Sequence, residues 1–175
     1  MDSPELTPAE LEAHLARHHE DSFGWALSCC GWNDADAEDV LQTTYVKVIS
    51  GRARFGGRSS FRTWLFGVIR QTAREHRRRA RSHEERAELL AREPVEAVTR
   101  ADPPDRGVEH SERAHRLRAA LDELPERQRQ VLHLVFYQEM TIREAAEVME
   151  VSLGSARVHY ERGKKRLRGL LGEAL

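Results

Sequence analysis

Apolar residues along this chain cluster at helical spacing, in stretches closed off by capping residues, glycine or proline. Thr7-Pro8-Ala9-Glu10 reads as a capping box with proline at the first helical position, a helix start. Leu11, Leu15, Ser22, Trp25, Ala26 and Cys29 follow, predicting one long helix or two end to end, broken by Gly31-Trp32-Asn33-Asp34. Ala37, Val40, Leu41, Thr44, Tyr45, Val48 and Ile49 then fall on a single stripe, so the helix they predict turns Asp39, Gln42, Thr43, Val46 and Lys47 outward. Gly51, Gly56 and Gly57 make a loop that carries Arg52, Arg54 and Arg58. Ser60 is placed to cap a third helix running to about Arg79. Its buried face is Phe61, Leu65, Val68, Ile69 and Thr72, and Arg62, Arg70, Arg74, Arg77, Arg78 and Arg79 crowd the remainder.

Periodicity lapses over residues 82–112, which are Glu-rich and contain Pro94, Pro103, Pro104 and Gly107; this stretch reads as an acidic flexible linker. Helical spacing returns with Leu117, Ala120, Leu121 and Leu124, stopped by Pro125. Pro125 can open the next helix, with Val131, Leu132, Val135 and Phe136 buried. Thr141-Ile142-Arg143-Glu144 is a second capping box, before a short helix with Ala145, Ala146 and Met149 inside. Val151 lies in a tight turn, Ser152 caps the last helix, and Ala156, Tyr160, Gly163 and Leu167 form its inner face. The expected fold is all-α: two small helical domains, residues 1–81 and 113–175, joined by the linker.

Charge changes the picture. The net charge of −1 conceals a strongly uneven distribution. Residues 1–50 carry −8, residues 51–81 carry +9, residues 82–153 carry −6 and residues 154–175 carry +4. Concentrated Lys and Arg suit a polyanion such as DNA, where each neutralised phosphate releases counterions. Two basic patches divided by acidic chain suggest nucleic acid held at two places.

Other classes recede. No apolar run is long enough to span a membrane, and Met1 to Ala9 is acidic rather than a secretory signal, so a cytoplasmic protein without membrane insertion is expected. Adjacent Cys29 and Cys30 offer no ordinary disulfide. With His14, His18 and His19 they leave a metal- or redox-responsive regulator as an outside reading, but their spacing fits no common zinc pattern. No Gly-rich phosphate loop or nucleophile–base pair is present, so neither catalysis nor a cofactor is expected.

A short capped helix, a turn holding an apolar residue, and a long basic helix make a helix-turn-helix, whose second helix lies in the major groove of DNA. Ala145 and Ala146 allow close helix approach. The DNA-facing candidates are Arg143, Ser155, Arg157, Val158, Glu161, Arg162 and Lys165. Arginine suits bidentate contact to guanine and lysine suits phosphate. Used alone, this motif would make the protein a freestanding transcriptional regulator.

The order Leu124-Pro125-Glu126-Arg127-Gln128-Arg129-Gln130-Val131 followed by this motif resembles region 4 of bacterial sigma factors. Asp36-Ala37-Glu38-Asp39-Val40-Leu41-Gln42 and Phe61-Arg62-Thr63-Trp64-Leu65 resemble parts of region 2. With both regions and no recognisable region 3, the chain resembles an extracytoplasmic-function sigma factor of the sigma-70 family. That resemblance implies binding to the beta and beta-prime subunits of core RNA polymerase and promoter-specific initiation through the −10 and −35 elements. It also implies double-stranded and melted promoter DNA as partners, and an anti-sigma factor able to wedge between the domains.

Carried onto this chain, core binding falls to Asp39, Gln42, Thr43, Val46 and Lys47. The −10 element falls to Arg54, Phe55, Arg58, Ser59, Arg62, Trp64, Arg70, Gln71, Arg74, Arg77 and Arg78, the loop around Gly56-Gly57 receiving a flipped base. Trp64 sits beside the buried face, open to either core packing or DNA contact. The −35 element falls to the seven helix-turn-helix residues, among which Glu161 either repels phosphate or accepts from cytosine.

Overall fold

The computed structural model describes residues 6–90 and 108–172, with side chains described over 6–86 and 114–172. Among the described residues every regular element is helical: α1 Pro8–Arg17, α2 His19–Cys29, α3 Asp34–Ile49, α4 Phe61–Leu90, α5 Val108–Asp122, α6 Glu126–Leu132, α7 Ile142–Met149 and α8 Leu153–Gly172, with a π-helical turn His133–Tyr137 after α6.

The expected caps are in place. Thr7 Oγ1 accepts from the Glu10 amide at 3.3 Å and Glu10 Oε2 accepts from the Thr7 amide at 2.9 Å. The same reciprocal pair joins Thr141 and Glu144, at 3.2 and 2.8 Å. Ser60 caps α4 by accepting from the Thr63 amide at 3.1 Å. Between α1 and α2 the chain leaves helical geometry only at His18, so the N-terminal pattern resolves into two helices end to end. Gly31 and Trp32 both adopt positive φ, 64° and 65°, and separate α2 from α3.

Several expectations are corrected. Helix α4 does not stop near Arg79 but continues to Leu90, because residues 80–90 are mostly good helix formers and contain neither glycine nor proline. Helix α5 begins at Val108, so both ends of the predicted linker lie inside helices. The remainder of that linker, 91–107, lies outside the described residues. Phe136 was expected inside, yet it is 57% exposed. The π-turn wraps more residues per turn than an α-helix, so a 3.6-residue period extrapolated past Leu132 goes out of phase. Ile49 is 69% exposed and borders an open apolar groove rather than the core. Val68 is only half-buried, while Phe66, outside the predicted stripe, is fully buried.

The two helical halves expected from the sequence are both present, and they pack against each other. One hydrophobic core joins Trp25, Leu41, Leu65, Phe66 and Ile69 of the N-terminal half to Val131, Leu134, Met140, Ala145, Val148 and Met149 of the C-terminal half. Helix α4 is therefore covered on two sides, by α2 and α3 and by α7. Trp25 anchors the centre, its Nε1 donating to the Phe66 carbonyl at 3.0 Å. A second cluster, Leu121, Leu124 and Leu132, receives Trp32 from the α2–α3 turn.

Candidate nucleic-acid interface

The helix-turn-helix is built as its sequence predicts. Ala145 and Ala156 are fully buried where α7 and α8 approach. Glu150 closes α7 in left-handed geometry at φ 53°, and the Val151 amide donates back to the Ala146 carbonyl at 3.0 Å. Ser152 then caps α8 by accepting from the Ser155 amide at 3.1 Å. Two hydrogen bonds from Thr141, side chain and then backbone, hold the Glu144 carboxyl below the usual carboxylate range. Arg143, Ser155, Arg157, Val158, Glu161, Arg162 and Lys165 are all exposed. Lys164 lies 3.4 Å from Glu161 and sits over the Tyr160 ring at 4.7 Å, so Glu161 has a cation beside it before any DNA arrives.

The N-terminal basic segment divides. Arg54, Arg58, Gln71, Arg74 and Arg78 are exposed, whereas Phe55, Ser59 and Trp64 are half-buried. Phe55, Phe61 and Trp64 form one aromatic cluster with centroid separations of 5.2 to 5.5 Å. Phe55, Trp64 and Arg54 also line the apolar groove, of about 690 Å³, bordered by Leu6, Leu11 and Ile49. Trp64 thus belongs both to a packed cluster and to an open wall.

Three arginines of the predicted −10 set are engaged by the other half of the molecule. Arg62 Nη2 donates to Gln138 Oε1 at 2.8 Å, Arg70 Nε to Gln130 Oε1 at 3.0 Å, and Arg77 Nη2 to Glu126 Oε1 at 2.6 Å. Arg70 is only 5% exposed, and burial lowers its pKa from the ordinary arginine value. Burial works against the Glu126 carboxylate, but the hydrogen bond and charge of Arg77 outweigh it and keep the group below its ordinary value. The acceptors Glu126, Gln130 and Gln138 were missed from sequence. Glu126 and Gln130 stand four apart on α6 and are themselves hydrogen-bonded at 2.9 Å, a spacing that was legible, although their target was not.

On α3, Asp39, Gln42 and Thr43 are exposed and Val46 is 52% exposed, as an outward face requires. Lys47 departs from this set. Its ammonium turns back onto α4, 2.8 Å from Glu75 and 3.1 Å from Thr72 Oγ1. The histidines also have packing roles: His14 and His18 stack on Phe61 at 4.7 and 6.3 Å, and His19 lies 6.0 Å from Tyr45. Cys29 is buried in the core, and Cys30 is pushed up to about 11 by burial and by Asp36. Among the described residues no three His, Cys, Asp or Glu side chains gather as a metal site would, and no helix is long and apolar enough to cross a membrane.

Comparison with known proteins accords with this layout. The family profile described as Sigma-70 region 2 matches residues 15–83, and that described as Sigma-70, region 4 matches residues 114–167. The RNA polymerase sigma factor CarQ of Myxococcus xanthus is 33% identical over 142 residues, which cover 81% of this chain and 78% of that one. The ECF RNA polymerase sigma factor SigX of Bacillus subtilis is 32% identical over 135 residues, covering 75% and 68%. Among solved structures, the sigma factor RpoE in complex with the anti-sigma factor NepR from Bartonella quintana shares the fold at a TM-score of 0.69 and 21% identity, over 92% of this chain and 96% of that chain. Regions 2 and 4 in this order, with relatives aligned across most of both chains, make the assignment: the protein belongs to the extracytoplasmic-function group of sigma-70-family RNA polymerase sigma factors.

Proposed function

We propose that the activity of this sigma factor, promoter-specific initiation with core RNA polymerase, is distributed over three surfaces. The exposed face of α3, with Asp39, Gln42, Thr43 and Val46, takes the polymerase; Lys47 serves the fold through Glu75 instead. The loop at Arg54, Phe55, Arg58 and Ser59, with Arg62, Trp64, Arg70, Gln71, Arg74, Arg77 and Arg78 of α4, takes the −10 element. A positive surface beside an aromatic cluster and an open groove suits a separated strand, which needs both phosphate neutralisation and stacking faces. Arg143 of α7 with Ser155, Arg157, Val158, Glu161, Arg162 and Lys165 of α8 takes the −35 element. An anti-sigma factor is a further partner, as NepR is for RpoE. The catalytic chemistry of RNA synthesis belongs to the polymerase, and this chain contributes recognition alone.

The observation that carries this reading is the exposure of all seven −35 candidates on one helix-turn-helix. Run-off transcription on genomic fragments, with purified core polymerase and with or without this protein, tests it. Discrete promoter-specific transcripts are expected only when the protein is present. A core enzyme that gains no specific initiation would overturn it.

A further inference from the structure

The outward arc of α8 carries two side chains that cannot serve a phosphate. Its inner stripe is Ala156, Tyr160, Gly163 and Leu167, of which Ala156 and Gly163 are buried. At about 100° per residue, Val158 and Lys165 point almost straight away from that stripe, and Glu161 and Arg162 lie roughly 50° to either side. Ser155, Arg157, Val158, Glu161, Arg162 and Lys165 are all exposed. Arg157, Arg162 and Lys165 can neutralise phosphates. Val158 is apolar, and Glu161 repels a polyanion. What remains for a carboxylate on this arc is a base edge.

The carboxylate is prepared for such a contact. Glu161 keeps 68% of its side chain exposed. Lys164 Nζ donates to Oε1 at 3.4 Å, which leaves Oε2 open to an incoming donor. Lys164 is itself drawn to the flank of the helix, its ammonium 4.7 Å from the Tyr160 ring centroid, and that ring stacks on Phe136 at 6.0 Å. The lysine therefore offsets part of the repulsion between Glu161 and nearby phosphates without entering the outward arc.

An ionised carboxylate accepts hydrogen bonds and donates none. In the major groove only cytosine N4 and adenine N6 offer donors, whereas guanine and thymine present acceptors. Adenine also carries N7 beside its amino group, an acceptor that repels the second carboxylate oxygen, while cytosine has no acceptor on that edge. The order of preference is cytosine, then adenine, with guanine and thymine last. Rejection contributes as much as attraction here, because an acceptor edge leaves the carboxylate stripped of water and unpaired.

We infer that Glu161 is a specificity-determining residue: it selects cytosine at one position of the −35 element and excludes guanine and thymine there. The inference rests on the assignment of α8 to the −35 element. Of the two roles open to Glu161, phosphate repulsion and acceptance from cytosine, the geometry of Lys164 and the outward arc selects the second.

Polymerase holoenzyme carrying wild type, Glu161→Ala or Glu161→Gln tests this on a promoter found by run-off transcription, with each base pair of its −35 element changed in turn to the other three. Both substitutions put a good helix former at an exposed site, which leaves the fold intact. Binding is measured by competition at several salt concentrations. At one position wild type should prefer cytosine over guanine by roughly tenfold or more. Glu161→Ala should bring that preference near parity and bind the guanine-substituted promoter more tightly than wild type does, a gain that a damaged protein would not show. Glu161→Gln, able to donate as well as accept, should shift the preference toward adenine. Replacing the cytosine base by 2-pyrimidinone, which lacks the 4-amino group, should weaken wild type more than Glu161→Ala.

The inference is overturned if Glu161→Ala raises affinity evenly at every sequence, the mark of phosphate repulsion alone, or if it leaves every base preference unchanged. A wild-type preference for any base other than cytosine at the Glu161-dependent position would overturn it too. Arg157→Ala separates this failure from failure of the α8 assignment. If Arg157→Ala relaxes a −35 preference while Glu161→Ala does not, α8 still reads the element and only the role of Glu161 falls. If neither variant alters any −35 preference, the α8 assignment falls as well.

Discussion

His133, from the π-turn after α6, lies with its ring centroid 5.4 Å from that of Trp25 in α2, a histidine of one half set against the central tryptophan of the other. Tyr137 stacks on it at 5.3 Å, Trp32 lies at 6.2 Å, and Gln138 Nε2 approaches its Nε2 at 3.4 Å. Aromatic and amide groups surround it, and burial lowers its pKa to about 4. Its folded pKa is thus below its unfolded one, so the unfolded chain binds the extra proton. Stability contributed by neutral His133 is complete above pH 6.5 and is lost as pH falls toward 4, by about 3 kcal/mol in all. Urea denaturation followed by tryptophan fluorescence should show this slope. In His133→Phe it should flatten between pH 6.5 and 5, above the range where carboxylates titrate. Equal slopes in the two proteins would contradict the assignment.

Gln130 supplies an acceptor to a guanidinium nearly closed off from water. Gln130→Leu removes that acceptor and should cost about 1–3 kcal/mol, seen as a lower urea midpoint. Pairing it with Arg70→Leu should recover part of the loss, because the stranded charge goes as well. A double variant as unstable as the two single losses added together would show the residues to be uncoupled.

Gly163 holds α8 against α6. A β-carbon there would lie 3.1 Å from Leu132 Cδ1 and 3.3 Å from Gln128 Cβ. In Gly163→Ala, the gain in helix propensity of about 1 kcal/mol offsets the crowding, leaving a small net change. Gly163→Val overfills the contact and should destabilise by about 1–3 kcal/mol. Thermal melts of both proteins measure the difference, and an unchanged melting temperature in the valine variant would be the contrary result.

Val46 touches water over half its surface, so Val46→Asp should leave folding stability within about 0.5 kcal/mol. Binding to core polymerase should weaken roughly tenfold or more if this side chain sits in a desolvated contact. Fluorescence anisotropy with labelled protein and purified core is the measurement. Gln42→Ala with Asp39→Ala should act in the same direction, and undiminished affinity in all of these would remove α3 as the docking face.

Within the helix-turn-helix, Arg157→Ala should cost about 1–3 kcal/mol on −35 duplex and relax preference at one base pair. Lys165→Ala should weaken binding uniformly across sequences and lower the salt slope by about 1. Titrations of duplex variants at several salt concentrations distinguish these patterns. The same sequence dependence in both variants would remove the proposed division between base and phosphate contact.

Local chemistry was legible in the chain. The Thr7–Glu10 and Thr141–Glu144 boxes satisfy helix-end amides within four residues, so no distant partner is needed to predict them. The exposed faces of α3 and α8 followed equally from periodicity. Position on a stripe was less informative about Lys47, which points outward yet folds back onto α4, and about Ile49, which lies on the inward stripe yet is exposed, because a direction on one helix does not say whether another helix covers it.

The sequence by itself determined most of the helices, their caps and the helix-turn-helix, since each rests on spacing within a short segment, and its motifs carried the resemblance to the sigma family. Only the tertiary structure decided what faces Arg62, Arg70 and Arg77, and that the halves share a core. A guanidinium is satisfied equally by water, phosphate or a glutamine oxygen, and which of these it meets depends on contacts between residues dozens of positions apart. Such pairings leave no period in the chain.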